Sequence, residues 1–277
     1  GNSLITMYAK CGIVTEAQVV FISMPDHNLI SWGSILAALI EEGDAVYALF
    51  LIDKMQEEGI IFDQAILLSA VQACGILGSI KKMHLLHEQI KGSIFKDDLV
   101  IGNALIDMYS KIGATSEALK VFNELPIRDE ISWGTIINCQ LQDGDNHAVL
   151  DIFVRLMDDN VKPNDIIFSC ILKACGNAGI LDNGKQIHDE IVNKGLLQKN
   201  PMLGNALVDM YAKCGELKKA EGLHDVLPTQ SLSSWNALIT GYVLHGQNHQ
   251  AMTYFQEMQN RGLLPDAVTF NCILKTC

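Results

Sequence analysis

The chain has 277 residues, of which 49% are hydrophobic and 19% charged, enough for one large domain or two ordinary ones. Its formal net charge of −12 argues against the strongly basic footprint usual for a nucleic-acid binder. No apolar stretch approaches the roughly 20 residues of a bilayer span; even Leu29 to Ile40 is short and interrupted by Ser, Trp and Gly.

The chain opens on GNSLITMYAK, and the line returns as GNALIDMYSK at 102–111 and GNALVDMYAK at 204–213. Asn2, Asn103 and Asn205 stand 101 and 102 residues apart, and Trp32, Trp133, Trp235 and Pro25, Pro126, Pro228 keep the same two intervals. Long-period self-similarity decides architecture before any local reading does. The opening residue falls inside this repeated element, without an initiator Met, a basic apolar signal or an Arg/Ser-rich transit segment, so the sequence reads as an excised fragment.

Each round divides into three related subunits, clearest at Leu99–Asp129, Glu130–Asn164 and Asp165–Asn200, with 31, 35 and 36 residues. Each predicts two short helices. In the first, Ile101, Leu105 and Met108 form one stripe, Gly113 breaks the chain, and Ala118, Val121, Phe122 and Leu125 form an i, i+3, i+4, i+7 face that ends at Pro126. The next subunit copies the plan with Trp133 to Leu141, a break at Gly144, Ala148 to Met157, and Pro163 before the following start. A helix pair this small cannot bury both faces alone, so the units must stack on one another. The expected fold is all-α, a right-handed α-solenoid (superhelix) of stacked helix-turn-helix repeats, with 1–277 as a single solenoid and no separate globular domain.

The alternation of about 35, 35 to 36 and 31 residues resembles the pentatricopeptide repeat family, in its plant PLS subclass of P, long L and short S motifs. The strings that carry the resemblance are NALIDMYSKIGATSEALKVFNELPIRD (103–129) for S, ISWGTIINCQLQDGDNHAVLDIFVRLMDDNVKPN (131–164) for P and IIFSCILKACGNAGILDNGKQIHDEIVNKG (166–195) for L. The motifs are S at 1–28, P at 29–63, L at 64–98, S at 99–129, P at 130–164, L at 165–200, S at 201–231, P at 232–266 and a partial L at 267–277. A tetratricopeptide array holds a constant length near 34, whereas three lengths alternate here.

The resemblance implies binding of single-stranded RNA at one base per motif, read by a residue near the start of the first helix and the last residue of the motif. Carried over, the S pairs are Asn2 with Asn28, Asn103 with Asp129, and Asn205 with Ser231; the P pairs are Gly33 with Asp63, Gly134 with Asn164, and Asn236 with Asp266. An Asn amide offers a donor and an acceptor to a base edge, and an ionised Asp accepts only. By the family's code Asn with Asp favours U, Asn with Ser favours C, and Asn with Asn accepts either pyrimidine. Gly33 and Gly134 depart from the pattern and imply weak preferences, toward G or U and toward A. L motifs are expected to be unread. Lys10, Lys111 and Lys213 take the position that approaches the RNA backbone, where the P motifs have Glu41, Gln142 and Leu244; Ile30, Val100, Ile131 and Met202 resemble residues that sandwich bases, and Ser233 departs.

Plainer roles compete with these. For Asn103 and its copies the competing, lesser reading is a helix-capping residue; the lysines read equally as last-turn cations that complement the helix dipole, a role compatible with phosphate contact. Catalytic patterns fail on spacing. His84-x-x-His87-Glu88 has Lys91 where a zincin needs its second His, and His188-Asp189-Glu190 has no following Cys-x-x-Cys for a deaminase zinc. His87 recurs as His188, which points to scaffold. Cys74, Cys175 and Cys277 are equivalent, as are Cys170 and Cys272, with Ser69 as their first-round counterpart; Cys139 aligns with Ala38 and Gly241. They read as small packing residues in a reducing compartment.

The expectation is a sequence-selective RNA binder with no catalytic site, metal or cofactor in this stretch, specifying C-to-U editing sites in chloroplast or mitochondrial transcripts. A deaminase domain would lie C-terminal or come with a partner. Organellar editing-factor proteins are candidate partners through the L motifs; DNA and membranes are not expected partners. The alternatives are a factor in RNA processing, splicing or stability, and a helical protein-interaction scaffold, which the acidity allows.

Overall fold

The computed structural model describes residues 1–275, so Cys277 lies outside the described residues. They form 17 helices and no strand among them. The chain divides into two compact units, Gly1–Cys139 and Gln140–Cys277. The first holds α1 (Asn2–Lys10), α2 (Val14–Ser23), α3 (Leu29–Glu42), α4 (Ala45–Glu57), α5 (Gln64–Leu77), α6 (Ile80–Lys91), α7 (Leu99–Lys111) and α8 (Thr115–Glu124), and α9 (Glu130–Asp143) begins in it. The second holds α10 (Asn146–Asp158), α11 (Asp165–Ala178), α12 (Leu181–Asn193), α13 (Pro201–Lys213), α14 (Leu217–Val226), α15 (Leu232–Leu244), α16 (Asn248–Asn260) and α17 (Ala267–Leu274).

Inside each unit, helices pair as hairpins and the hairpins stack. In the first unit the first helices form a layer, α1 on α3, α3 on α5 and α5 on α7, with α2, α4, α6 and α8 behind them. In the second, α11, α13, α15 and α17 form the equivalent layer. This is the α-solenoid arrangement expected from the repeats, and it buries both predicted stripes: Ile101, Leu105, Met108, Ala118, Val121, Phe122 and Leu125 are all in the core.

The alternating motif length has a local cause. The second helix has 10 residues in each S motif (α2, α8, α14) and 13 in each P motif (α4, α10, α16), a difference of about one turn. Pro25, Pro126 and Pro228 set the early stop, because a residue before proline is driven out of the α region. Met24, Leu125 and Leu227 are accordingly extended, with ψ of 131°, 126° and 135°. The first helices are longer than their apolar stripes: α9 runs from Glu130 rather than Trp133, since Glu130 and Ile131 are exposed and lie off the buried stripe.

The tryptophans explain why the hundred-residue register is kept. Trp32, Trp133 and Trp235 are almost fully buried, and each meets a ring from the preceding S motif edge to face, Phe21 at 4.8 Å, Phe122 at 4.8 Å and His224 at 4.5 Å. Glycine begins the recurring line because space is short. A Cβ on Gly102 or Gly204 would collide with the side chain of Leu125 or Leu227, the residue that Pro126 or Pro228 holds extended.

Candidate functional site

The residues singled out in the sequence sit on the first helices and at motif ends, and the fold joins several of them. Asn103, the fifth residue of α7, donates from Nδ2 to Asp129 Oδ1 at 3.4 Å across 26 residues. Asn2 does the same to Asn28 Oδ1 at 3.2 Å. Asn236, the fifth residue of α15, straddles Asp266 Oδ1 and Oδ2 at 3.1 and 3.2 Å. Asn205 and Ser231 share no hydrogen bond among the described residues; Ser231 Oγ accepts from the Ser234 N–H at 3.4 Å instead. Gly33 leaves open space, since a Cβ there meets nothing within 4 Å. Gly134 lies in the first unit and Asn164 in the second.

The capping alternative for the asparagines is overturned. Asp98 caps α7 and Asn200 caps α13, which leaves Asn103 and Asn205 inside their helices. The caps are the motif-end residues themselves. Asn28, Asp63, Asp98, Asp129, Asn164, Asn200, Ser231 and Asp266 each accept a backbone N–H from the helix that follows. This second role is legible in the sequence as a Ser, Asp or Asn ahead of each apolar run.

Capping fixes the electrostatics of the pair. Asp129 Oδ1 accepts from the Ser132 N–H and Oγ–H, each at 2.8 Å, as well as from Asn103. Partial burial pushes the Asp129 carboxyl up, but these donors outweigh it and hold it below the usual carboxylate range. Asp266 is held low by the Thr269 N–H and hydroxyl and by Asn236. Both are therefore anions that accept only. All described hydrogen bonds to Asp129 use Oδ1, so Oδ2 remains an acceptor for a donor from outside. The asparagines differ in their carbonyls. Asn236 Oδ1 accepts from Thr269 Oγ1 at 2.6 Å, whereas Oδ1 of Asn2, Asn103 and Asn205 is buried without a hydrogen-bond partner. A buried amide oxygen with no donor costs about 1–3 kcal/mol.

The exposed apolar residues Ile30, Val100, Ile131 and Met202 are 66%, 54%, 64% and 69% exposed. Each lies three residues before the position facing the motif end, at the start of a first helix, so flat apolar surface flanks the polar pairs. The lysines end their first helices as expected of last-turn cations. Two are ion-paired: Lys111 Nζ lies 2.8 Å from Asp107 and Lys213 Nζ 2.7 Å from Asp209. Lys10, with Thr6 in the acid's place, makes no ion pair among the described residues. Lys111 and Asp107 line a groove with Ile40, Glu41 and Gln72 on the layer of first helices.

In the L motifs the polar link is made by different residues. Gln64 Nε2 donates to Asp98 Oδ2 at 2.8 Å, and Asn200 Nδ2 donates to Asp165 Oδ2 at 2.9 Å. Gln64 and Asp165 are the first residues of α5 and α11, one turn before the position used in the S motifs.

The catalytic patterns are occupied by structure. His87 Nδ1 meets the Tyr109 hydroxyl at 3.2 Å and His188 Nδ1 meets that of Tyr211 at 2.9 Å, the same contact one round apart. Cys74, Cys139 and Cys175 are buried, and no disulfide forms among the described cysteines. Burial pushes the thiols of Cys74 and Cys175 up to about 11 and about 12, which keeps them protonated and unreactive. No helix is long and apolar enough to cross a membrane among the described residues.

Comparison with known proteins places this geometry in a family context. PPR repeat models match residues 2–29, 30–60, 103–128 and 205–229, a pentatricopeptide repeat domain model matches 129–178, and a PPR repeat family model matches 230–277. A chloroplastic pentatricopeptide repeat-containing protein of Arabidopsis thaliana is 35% identical over 277 residues, covering all of this chain and 45% of that protein. A mitochondrial one from the same plant is 32% identical over 297 residues, again covering all of this chain but 33% of that protein. The chain thus spans less than half the length of these relatives. Among solved structures, the pentatricopeptide repeat protein PPR10, crystallised with an 18-nt psaJ RNA element, superposes with a TM-score of 0.78 at 20% identity, over 99% of this chain and 41% of that one.

Proposed function

The chain belongs to the pentatricopeptide repeat family, and from that premise we propose that it binds single-stranded RNA through the first-helix layer, one base per S or P motif. The observation that carries the reading is the link from Asn103 to Asp129. It is made across 26 residues, it is repeated at Asn2–Asn28 and Asn236–Asp266, and each copy presents an amide beside an acceptor anchored by the next helix. Exposed Ile30, Val100, Ile131 and Met202 supply the stacking surface that unpaired bases take. PPR10 is a protein of this fold crystallised with RNA, which supports the same class of ligand.

On this reading the alternation of lengths is the PLS pattern. In 5′ to 3′ order the motifs favour a pyrimidine, a weak G or U, an unread position, U, a weak A, an unread position, C and U. The destination is a chloroplast or mitochondrion, by likeness to relatives named for each. The whole protein's task would be marking C-to-U editing sites, with deamination supplied outside this stretch; RNA processing, splicing or stability uses the same binding surface. The net charge of −12 favours a second reading, a protein-interaction scaffold. Selection of bound sequences from a random RNA pool separates them. Enrichment of U opposite the Asn103–Asp129 motif supports the code, uniform bases at that position in bound RNA overturn it, and no bound RNA favours the scaffold.

A further inference from the structure

The L motifs are expected to be unread from the family resemblance, and Leu68 and Ser169 stand where the S motifs have Asn. Yet each complete L motif holds an amide–carboxylate link of its own. In the second, Asn200 caps α13 through Oδ1, accepting from the Met202 N–H at 2.9 Å. Its Nδ2 donates to Asp165 Oδ2 at 2.9 Å. The construction repeats that of Asn103 and Asp129, a motif-end cap tied to the first helix of its own motif, with the helix partner moved from the fifth residue to the first. Four residues of helix displace it by about 6 Å toward the N-terminus.

An independent feature marks the same place. Ile166, next to Asp165, is 67% exposed, like Ile131 and Met202 in the motifs on either side. The second residue of α11 is thus an exposed apolar side chain, as is the second residue of α9 and of α13. The first L motif has the link between Gln64 and Asp98 but Ala65 in place of the isoleucine, so it offers half of this arrangement.

We propose that the second L motif also takes a base, through Asp165 and Asn200 with Ile166 as the stacking surface. The inference rests on the RNA-binding reading above. Asp165 contributes an acceptor-only carboxylate, and Asn200 retains one N–H beyond that given to Asp165. A keto base satisfies both: its imino N–H donates to the carboxylate and its keto oxygen accepts from the amide. The ligand class is uracil or guanine, and cytosine and adenine, which lack an imino proton, are disfavoured.

The test is selection of RNA from a random pool by the 277-residue chain and by Asp165→Ala, Asp165→Asn and Ile166→Ala, with thermal melts to verify folding. The wild type is expected to enrich U or G opposite this motif. Asp165→Ala should reduce that enrichment toward equal base frequencies while U opposite Asn103 stays enriched; Ile166→Ala should weaken binding severalfold. Asp165→Asn, which keeps a partner for Asn200, should move the preference toward bases without an imino proton, and this arm decides if Asp165→Ala melts early. Enrichment opposite the S motifs with uniform bases here in the wild type, or an L-motif preference unchanged by both Asp165 substitutions, overturns the inference and leaves the RNA reading standing. Absence of enrichment at every motif overturns both.

Discussion

The Asn103 amide donates to the same Asp129 oxygen that accepts from the Ser132 backbone N–H at the start of α9. One carboxylate thus both begins a helix and orients a side chain 26 residues earlier. Substitutions at Asp129 should separate these two roles. Asp129→Ala removes a cap and should cost about 1 kcal/mol of stability, seen as a lowered Tm together with lost U selection. Asp129→Ser keeps a capping oxygen, so Tm should hold while the preference moves from U toward C. Equal melting of the two variants would sink the dual assignment.

Asn103→Thr should move the base opposite that motif from U toward G, because the hydroxyl replaces the amide beside Asp129. Loss of the amide contact is worth about 1 kcal/mol, or roughly fivefold in affinity for the wild-type target. Binding titrations with U and G at that one position measure it. An unchanged U-to-G ratio contradicts the role given to Asn103.

Gly33 offers the reverse experiment. Asp63 already stands at the motif end and caps α5, and the space around Gly33 is open. Gly33→Asn should therefore install the missing amide on a Cβ that meets nothing within 4 Å. Helix propensity also moves slightly in its favour, by a few tenths of a kcal/mol. The expected outcome is a new U preference opposite this motif and affinity raised by about fivefold, from about 1 kcal/mol for the added hydrogen bond. Selection with the variant shows no new preference if base readout does not operate here.

Much of this was legible in the sequence, and the reasons are physical. Proline and tryptophan carried the register, because Pro126 constrains the backbone before it and Trp133 needs a ring partner at a fixed place. The pairing of Asn103 with Asp129 was implied by the family resemblance and not by any local pattern. The shifted L-motif link was illegible because Gln64 and Asp165 occupy a first-turn position that any polar residue suits. The ion pair between Lys111 and Asp107 is legible as an i, i+4 spacing on one helix.

That ion pair changes the expected salt response. Three lysines contacting phosphates imply a slope of about −2 in log affinity against log salt, at roughly −0.7 per neutralised phosphate. Asp107 and Asp209 already hold Lys111 and Lys213, so the observed slope should be shallower, nearer the single contribution of Lys10. Asp107→Asn with Asp209→Asn frees both cations and should tighten binding at low salt and steepen the slope toward about −2. A wild-type slope several times steeper would mean that phosphate contacts lie elsewhere.

His224 gives the pH response. It occupies the place of Phe21 and Phe122 against the core tryptophan, is 1% exposed, and has both ring nitrogens buried without hydrogen-bond partners. Burial pushes its pKa below the ordinary value of 6.5; Asp225 and Glu257 pull upward and Arg261 downward. Because the folded pKa is depressed, the unfolded chain binds the proton first. Stability is therefore full above about pH 6.5 and falls as pH drops below it, by up to about 1.4 kcal/mol per pH unit for one proton. His87 and His188 are shifted in the same direction by burial, so the wild type should show the summed loss. His224→Phe restores the residue used in the other two rounds. It should raise stability at neutral pH by about 1–3 kcal/mol, the cost of burying unsatisfied polar atoms, and should flatten the Tm profile between pH 8 and 5 without abolishing it. Melts of wild type and variant across that range decide the matter, and parallel profiles would show that His224 takes up no proton on unfolding.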